Sequence, residues 1–360
     1  MSRPKAIHQI MPGFLYGDAV GNQAFRIRAL LRQWGYQSQV YAQFRDSRLA
    51  DPGLDYTRYA GRRDTIVIFH YSIGSPVTAF VRSLPDRIVP YYHNVTPPEF
   101  VQRYNADLTA LLAQGQRELV LFEAAPFALA ASEYNRQEML RLGFQHVAVL
   151  PYFLYFDELL ASMESAAGRA VVQRYGDGWV NILFVGRIVA NKRQDDLIRA
   201  FHYYHRLINP QSRLLLVGSD SNAPGYRLEL DVLTDVLGLA HVHLVGPVGL
   251  REGLGGYYRA ASVYLSLSEH EGFGVPLLEA MRFDVPVLAF NATGVPYALG
   301  DAGVLFNRKR YDAIGETIDM VTRDDVIRRQ LLVGQQQRLA QLSPAVTTEL
   351  LRTIVDEMAT

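Results

Sequence analysis

Glu271 and Glu279 stand eight residues apart in "SEHEGFGVPLLEAM" (268–281), with two glycines and a proline between them. Carboxylates accept hydrogen bonds from sugar hydroxyls, and a glycine-bearing turn that enters a helix offers backbone amides to an anion. A second segment, "NILFVGRIVANKRQDDLIRAF" (181–201), puts Arg187 and Lys192 in one short turn. A guanidinium contacts phosphate by a fork, and an ammonium does so as a point charge. Cations and amides for a diphosphate, with acids for the hydroxyls attached to it, form one coherent chemistry. Spacing alone does not establish it, because Glu349 and Glu357 repeat the eight-residue interval in a plain C-terminal helix. Each group also has a plainer reading. Glutamates favour the start of a helix through its dipole, and Arg187 and Lys192 are ordinary solvated charges when taken singly.

The elements that must position these residues follow from hydrophobic patterning. Short apolar runs lie at 6–11, 38–44, 64–72, 87–94, 128–132 and 147–153, and again at 181–187, 213–219, 241–248, 262–268, 286–290 and 302–306. Runs this short and this apolar fit strands buried on both faces of parallel sheets. Amphipathic segments alternate with them. "NQAFRIRALLRQWG" (22–35) sets Phe25, Ile27, Leu30 and Leu31 near one side and ends at Gly35, a C-terminal cap; "RQDDLIRAFHYYHRL" (193–207) is comparable. Alternating strand and helix implies right-handed crossovers and an α/β fold with two doubly wound, Rossmann-like domains facing a central cleft. A chain of 360 residues is long enough for two such domains. The charged, glycine-bearing stretch 156–178 carries no strand signal and is expected to join them.

Ligands of such sheets bind beyond the carboxyl ends of the strands. "SVYLSLS" (262–268) is a strand, "SEHEGFG" follows at its carboxyl end, and "VPLLEAMR" starts a helix with Pro276 in its first turn. The amides of Gly274 through Leu277 are then expected to face a phosphate. Glu279 lies in the first turns of that helix, within reach of a sugar hydroxyl pair, and Glu271 lies at the strand end on the other side.

Composition narrows the partners. Residues 1–150 carry 16 Lys+Arg against 12 Asp+Glu, and residues 151–360 carry 20 against 24, so the whole is neutral. That asymmetry does not point to nucleic acid. A weakly basic first half is compatible with an anionic acceptor or peripheral membrane contact; a solvated face is the plainer account. The chain has no cysteine, which excludes disulfides, thiolate metal sites and thiol nucleophiles and fits a reducing cytoplasm. The start lacks the apolar core of a signal peptide, and no run approaches the ~20 apolar residues that span a bilayer.

Taken in order, "VGRIVANK", "LLLVG" (214–218), "VGPV" (245–248), "SEHEGFGVPLLEAM" and "VPVLAFNATGVP" (285–296) resemble the donor domain of glycosyltransferase family 4, whose members are retaining enzymes of GT-B architecture. The first half resembles the family more loosely, through "GDAVGNQAFRIRALLRQWGYQSQVYA" (17–42) and "YYHN" (91–94). The resemblance implies an acceptor-binding domain over 1–155, a linker over 156–178, a donor-binding domain over 179–342, and a terminal helix over 343–360 that crosses back to the first domain. It makes Arg187 and Lys192 the cations on the donor diphosphate and Glu279 the ribose ligand. Glu271, Gly272, Phe273, Gly274 and Val275 would face the transferred sugar and the distal phosphate. Val248 would lie near the base. Gly17 and Asp18 would approach the donor from the first loop, and His93 would stand by the reacting sugar. Three departures stand out: Asp18-Ala19 replaces a common glycine pair, Tyr297 stands where an acid is common, and Arg193 stands where glycine is common.

The expected function is transfer of a sugar from a nucleotide diphosphate sugar, UDP- or GDP-linked, to a glycan or lipid-linked acceptor hydroxyl with retention. The setting would be polysaccharide or glycoconjugate biosynthesis, in the cytoplasm or at the inner face of the membrane. No cofactor or metal is expected, since no Asp-x-Asp motif lies at a strand end and the histidines form no ligand cluster. The alternatives are a GT-B nucleotide-sugar epimerase, which needs acid and base groups at the sugar, and a non-catalytic nucleotide-sugar binding protein.

Overall fold

The computed structural model describes residues 6–15 and 17–359. It divides into two compact units. The first comprises the described residues up to Pro98, Thr109–Leu154, and those from Leu342 onward; the second comprises Glu99–Leu108 and Tyr155–Gln341.

The first unit holds a seven-stranded parallel sheet in the order β3-β2-β1-β4-β5-β6-β7. Its strands are β1 (Ala6–Phe14), β2 (Val40–Arg45), β3 (Leu54–Asp55), β4 (Thr65–Tyr71), β5 (Arg87–Tyr92), β6 (Ala128–Ala130) and β7 (Val147–Val149). β4, "TIVIFHY", is buried at every position, as a central strand covered by helices on both faces must be. The two-residue β3 has no counterpart among the expected strands: two residues carry no readable periodicity.

The second unit holds a six-stranded parallel sheet in the order β10-β9-β8-β11-β12-β13. These strands are β8 (Val180–Val185), β9 (Ser212–Val217), β10 (Val242–Gly246), β11 (Val263–Ser266), β12 (Val287–Phe290) and β13 (Val304–Phe306). Ile182, Phe184, Leu214, Leu216, Val263, Leu265 and Leu288 form one buried cluster with Leu197, Phe201, Ile314 and Ile318 of the covering helices. In each sheet the chain winds outward from the first strand in one direction and then in the other. The reversals fall between β1 and β4 and between β8 and β11, where the strand ends part and leave room for a ligand.

Three sequence expectations need correction. Residues 156–178 do not form a linker. They fold into the helices Asp157–Glu164 and Ala166–Tyr175, which pack on the helix Leu254–Ala260 within the second unit. One of the glycines that suggested a loose joint, Gly168, stands at a close approach instead: a methyl at Gly256 would lie 2.5 Å from the Gly168 carbonyl. Residues 99–108, expected in the first domain, group with the second unit, where Tyr104 donates to Glu229 at 2.8 Å and stands edge-on to Tyr226. The helix Ala19–Gln33 buries Ala24, Ile27, Arg28 and Leu31, whereas Phe25 is exposed. Arg28 is buried because its guanidinium meets Asp51 at 3.0 Å and Gln39 at 3.1 Å.

Candidate active site

The reversal between β8 and β11 brings together two turns that lie about 80 residues apart in sequence. Val263 and Tyr264 pair with Ile182 and Leu183, so both strands end side by side. The turn after β8 carries Arg187 and Lys192, and the turn after β11 carries Glu271 through Gly274. The Lys192 ammonium meets the Glu271 carboxylate at 2.5 Å, with both side chains largely shielded from solvent. Burial draws the Lys192 ammonium below its usual range, partly offset by Glu271, while Arg187 adds to the lowering. Asn191 donates to the His270 carbonyl at 3.0 Å, and the Glu269 amide donates to the Asn191 carbonyl at 2.8 Å, so the turns are also joined through backbone. The Arg187 side chain is exposed, while its carbonyl accepts from Gln194 at 2.9 Å.

Glu271 is held by its backbone rather than by chance packing. Its amide donates to the Thr293 hydroxyl at 2.8 Å, and its carbonyl accepts from that hydroxyl at 2.9 Å and from the Gly294 amide at 2.9 Å. A methyl group at Gly294 would stand 2.5 Å from the Gly272 carbonyl. Only glycine lets the β12 loop come this near.

The helix Val275–Arg282 begins at Gly274, whose φ of +96° suits glycine. Four amides facing a ligand are too many. Pro276 has no amide hydrogen, and the Leu277 amide donates to the Gly274 carbonyl at 3.1 Å. An anion at this end would meet the amides of Gly274 and Val275. Phe273 is buried and Gly272 half-buried at the turn. Glu279, one turn on, is half-buried and accepts from the Tyr258 hydroxyl at 2.6 Å. Burial raises the Glu279 carboxyl, and the Tyr258 hydrogen bond opposes this. Val248 follows β10 on the other side of the sheet order and is half-buried.

Arg193 explains why glycine is at home in its position. Its φ is +54°, the left-handed region. Here a non-glycine residue holds that conformation with ion pairs to Asp195, Asp196 and Glu269, each at 3.1 Å. Lys309 adds contacts of 2.7 Å to Asp196 and to Glu269. The turns carrying Lys192 and Glu271 are therefore tied to a third turn, after β13.

In the first unit, Asp18 caps the helix Ala19–Gln33 by accepting from the Gly21 amide at 3.1 Å; Gly17 beside it is exposed, with φ +76°. His93 follows β5 and is buried. Its Nε2 lies 2.8 Å from His70 Nδ1, and its Nδ1 lies 2.8 Å from the Tyr152 hydroxyl. Among the described residues no group of three or more His, Asp or Glu is arranged to hold a metal ion.

Comparison with known proteins gives this geometry a context. Residues 175–338 match the family model described as glycosyl transferases group 1. The match to group 1 glycosyl transferases thus covers most of the second unit and less than half of the chain. The chain is 28% identical over 251 residues to the O-antigen chain mannosyltransferase B of Escherichia coli, a match covering 67% of this chain and 62% of that protein. It thus spans less than two thirds of that relative's length. Sucrose-phosphate synthase from Thermosynechococcus elongatus superposes with a TM-score of 0.72 at 17% identity, over 98% of this chain and 99% of that one. Anabaena Alr3699/HepE in complex with UDP superposes with a TM-score of 0.69 at 16% identity, over 98% and 100%. The fold is GT-B, as the motifs led one to expect.

Within the second unit, sequence motifs had singled out Lys192, Glu271 and Glu279 but not the residues that hold them. Tyr258, Thr293 and Gly294 lie on other elements and Asn191 stands beside Lys192 in its own turn; the quoted motifs run through Asn191, Thr293 and Gly294 without giving them a role. In the first unit His70 and Tyr152 went unnoticed. His70 sits inside the apolar run of β4, where a polar residue at a fully buried position was the available signal.

Proposed function

We propose that this chain is a retaining glycosyltransferase that takes its sugar from a nucleotide diphosphate sugar bound by the second unit. The observation that carries the reading is the Lys192–Glu271 pair, 2.5 Å apart at the β8/β11 reversal, with Arg187 in the same turn. Arg187 and Lys192 contact the donor diphosphate, and the amides of Gly274 and Val275 serve the distal phosphate. Glu279 accepts from the ribose hydroxyls and Glu271 from the transferred sugar. Val248 lies toward the base. In the step itself the bond from C1 to the leaving phosphate oxygen breaks, and its electron pair stays with the diphosphate. The acceptor oxygen joins C1 on the same face and gives its proton to the leaving phosphate. Charge gathers on the diphosphate as the bond breaks, so fixed cations help the transition state more than the ground state. That charge stabilisation is the service a metal would otherwise provide, and we propose metal-independent turnover. The similarity to an O-antigen chain mannosyltransferase supports a polysaccharide or glycoconjugate acceptor as the leading class.

A panel of UDP-, GDP- and ADP-sugars read by thermal shift tests the donor, because a ligand that binds only the folded chain raises its apparent stability. Nucleotide release with the stabilising sugar, with and without chelator, tests turnover. The reading fails if no sugar nucleotide stabilises the chain or is cleaved. The metal-free claim fails if chelator abolishes release and a divalent cation restores it.

A further inference from the structure

Lys192 is placed by its two neighbours in the chain, and one residue grips both of them. Glu269 stands two residues before Glu271, in the turn after β11. Its amide donates to the carbonyl of Asn191, on one side of Lys192, at 2.8 Å. Its carboxylate oxygen Oε1 accepts from the guanidinium of Arg193, on the other side, at 3.1 Å. The same oxygen accepts from the Lys309 ammonium at 2.7 Å. Lys309 is itself anchored, at 2.7 Å from Asp196 and 4.8 Å from the centre of the Phe290 ring. Asp196 is buried and also accepts from the Tyr311 hydroxyl at 2.7 Å. The cations Arg193, Arg199 and Lys309 are matched by the acids Asp195, Asp196 and Glu269. The cluster is therefore neutral and adds no net charge to the attraction of an anion.

What the cluster supplies is geometry. Arg193 holds φ +54°, a conformation that is costly for a residue with a side chain and free for glycine. Without its acid partners the backbone at Arg193 gains by leaving the left-handed region. Lys192 is the next residue, so its side chain would be redirected and its 2.5 Å contact with Glu271 lost. We infer that Glu269 is a positioning residue for the donor site: it locks Arg193 in the left-handed conformation and thereby sets where the Lys192 ammonium stands. Glu269 acts through Lys192 and touches no ligand. The lock rests on the geometry of the turns alone; its effect on a donor rests on the transferase proposal.

The test has an arm for each. Arg193→Ala and Arg193→Gly both lose the guanidinium, and only glycine adopts the left-handed region freely. Hydrogen exchange on the full chain, without added ligand, reads the turn through the Glu269 amide, which is bonded to Asn191. That amide should exchange about tenfold faster in Arg193→Ala than in the wild type, the population cost of a left-handed residue with a side chain. In Arg193→Gly it should stay within about threefold of the wild type. Equal exchange in all three proteins, or equally fast exchange in both variants, overturns the inference whatever the activity. The second arm uses calorimetry with the nucleoside diphosphate of the sugar nucleotide that the panel identifies. Glu269→Ala removes an acid, which by charge alone would tighten the binding of an anion. Loss of position acts the other way, and affinity should fall about fivefold, part of the worth of one charge-assisted hydrogen bond. Glycine needs no lock, so the double variant Glu269→Ala, Arg193→Gly should bind at least as tightly as Arg193→Gly alone. Unchanged or tighter binding by Glu269→Ala, or a double variant weakened as much as the single one, overturns it. If no nucleotide binds, the proposed function has failed, and the exchange data alone decide the inference.

Discussion

A diphosphate approaching Lys192 competes with a carboxylate already 2.5 Å from the ammonium. Glu271→Gln removes that competitor while keeping the shape. Nucleotide diphosphate should then bind at least as tightly by calorimetry, while turnover falls because the sugar loses its acceptor. Weaker nucleotide binding would show Glu271 to be a phosphate-side support instead. Glu279→Ala should weaken nucleotide diphosphate and intact donor alike, by about 1.5–3 kcal/mol for a charge-assisted hydrogen bond. Unchanged affinity for both would remove it from the ribose. Titration makes a further prediction. Burial lowers the His70 imidazole to about 3, and burial, with Lys192 beside it, lowers His270 to about 4, both from 6.5. Below pH 6.5 the unfolded chain binds these protons and the folded chain does not. Stability should therefore fall with falling pH across this window, by up to about 1.4 kcal/mol per pH unit for each histidine. The raised carboxyls of Glu138 and Glu279 act in the opposite sense. Denaturant melts of the wild type against His270→Asn isolate one histidine: the variant should decline less steeply, and parallel curves would refute the assignment.

At the scale of elements, the site depends on how closely three loops approach one another. Gly294→Ala places a methyl 2.5 Å from the Gly272 carbonyl and 2.7 Å from the Glu271 carbonyl. Backbone cannot yield as a side-chain tip can. The substitution should cost about 1–3 kcal/mol of stability and displace Glu271 from Thr293, with a loss of donor affinity that thermal shift would read. Gly334→Ala provides the contrast. It lies inside the helix Asp325–Gln341, and its nearest neighbour would be 3.8 Å away. There the added methyl should leave donor binding untouched and stabilise the helix by up to about 1 kcal/mol. Equal effects from the two substitutions would mean that proximity at Gly294 does not matter.

At the scale of the whole molecule, the last helix, Pro344–Ala359, is grouped with the first unit although it follows the second in sequence. Leu351, Ile354, Val355 and Met358 are buried, and the Arg352 guanidinium lies over the Trp34 ring at 5.7 Å. Each such side chain contributes about 1.5–3 kcal/mol when fully buried. Ending the chain at Ser343 should therefore lower the melting temperature and expose an apolar surface around Trp34 that binds a hydrophobic dye. An unchanged melting temperature would make the helix a dispensable tail. Among the described residues no helix is long and apolar enough to cross a membrane.

The twelve expected strands are all present, because a strand buried on both faces must be apolar wherever it falls in the chain. Local chemistry also marked Lys192, Glu271 and Glu279, which sit at strand and helix ends where glycine and proline punctuate the sequence. What sequence could not express is proximity. The glycines of 156–178 looked like a joint, and only packing against Leu254–Ala260 shows why a small residue is needed at Gly168. Arg193 looked like a departure, and only its φ of +54° and its three acid partners explain it. Thr293, Gly294 and Tyr258 reach the site through backbone and hydroxyl contacts that impose no local pattern. His93 could be picked out by its place after a strand. That its two ring nitrogens meet His70 and Tyr152 could not be read there, because those partners come from distant stretches of the chain.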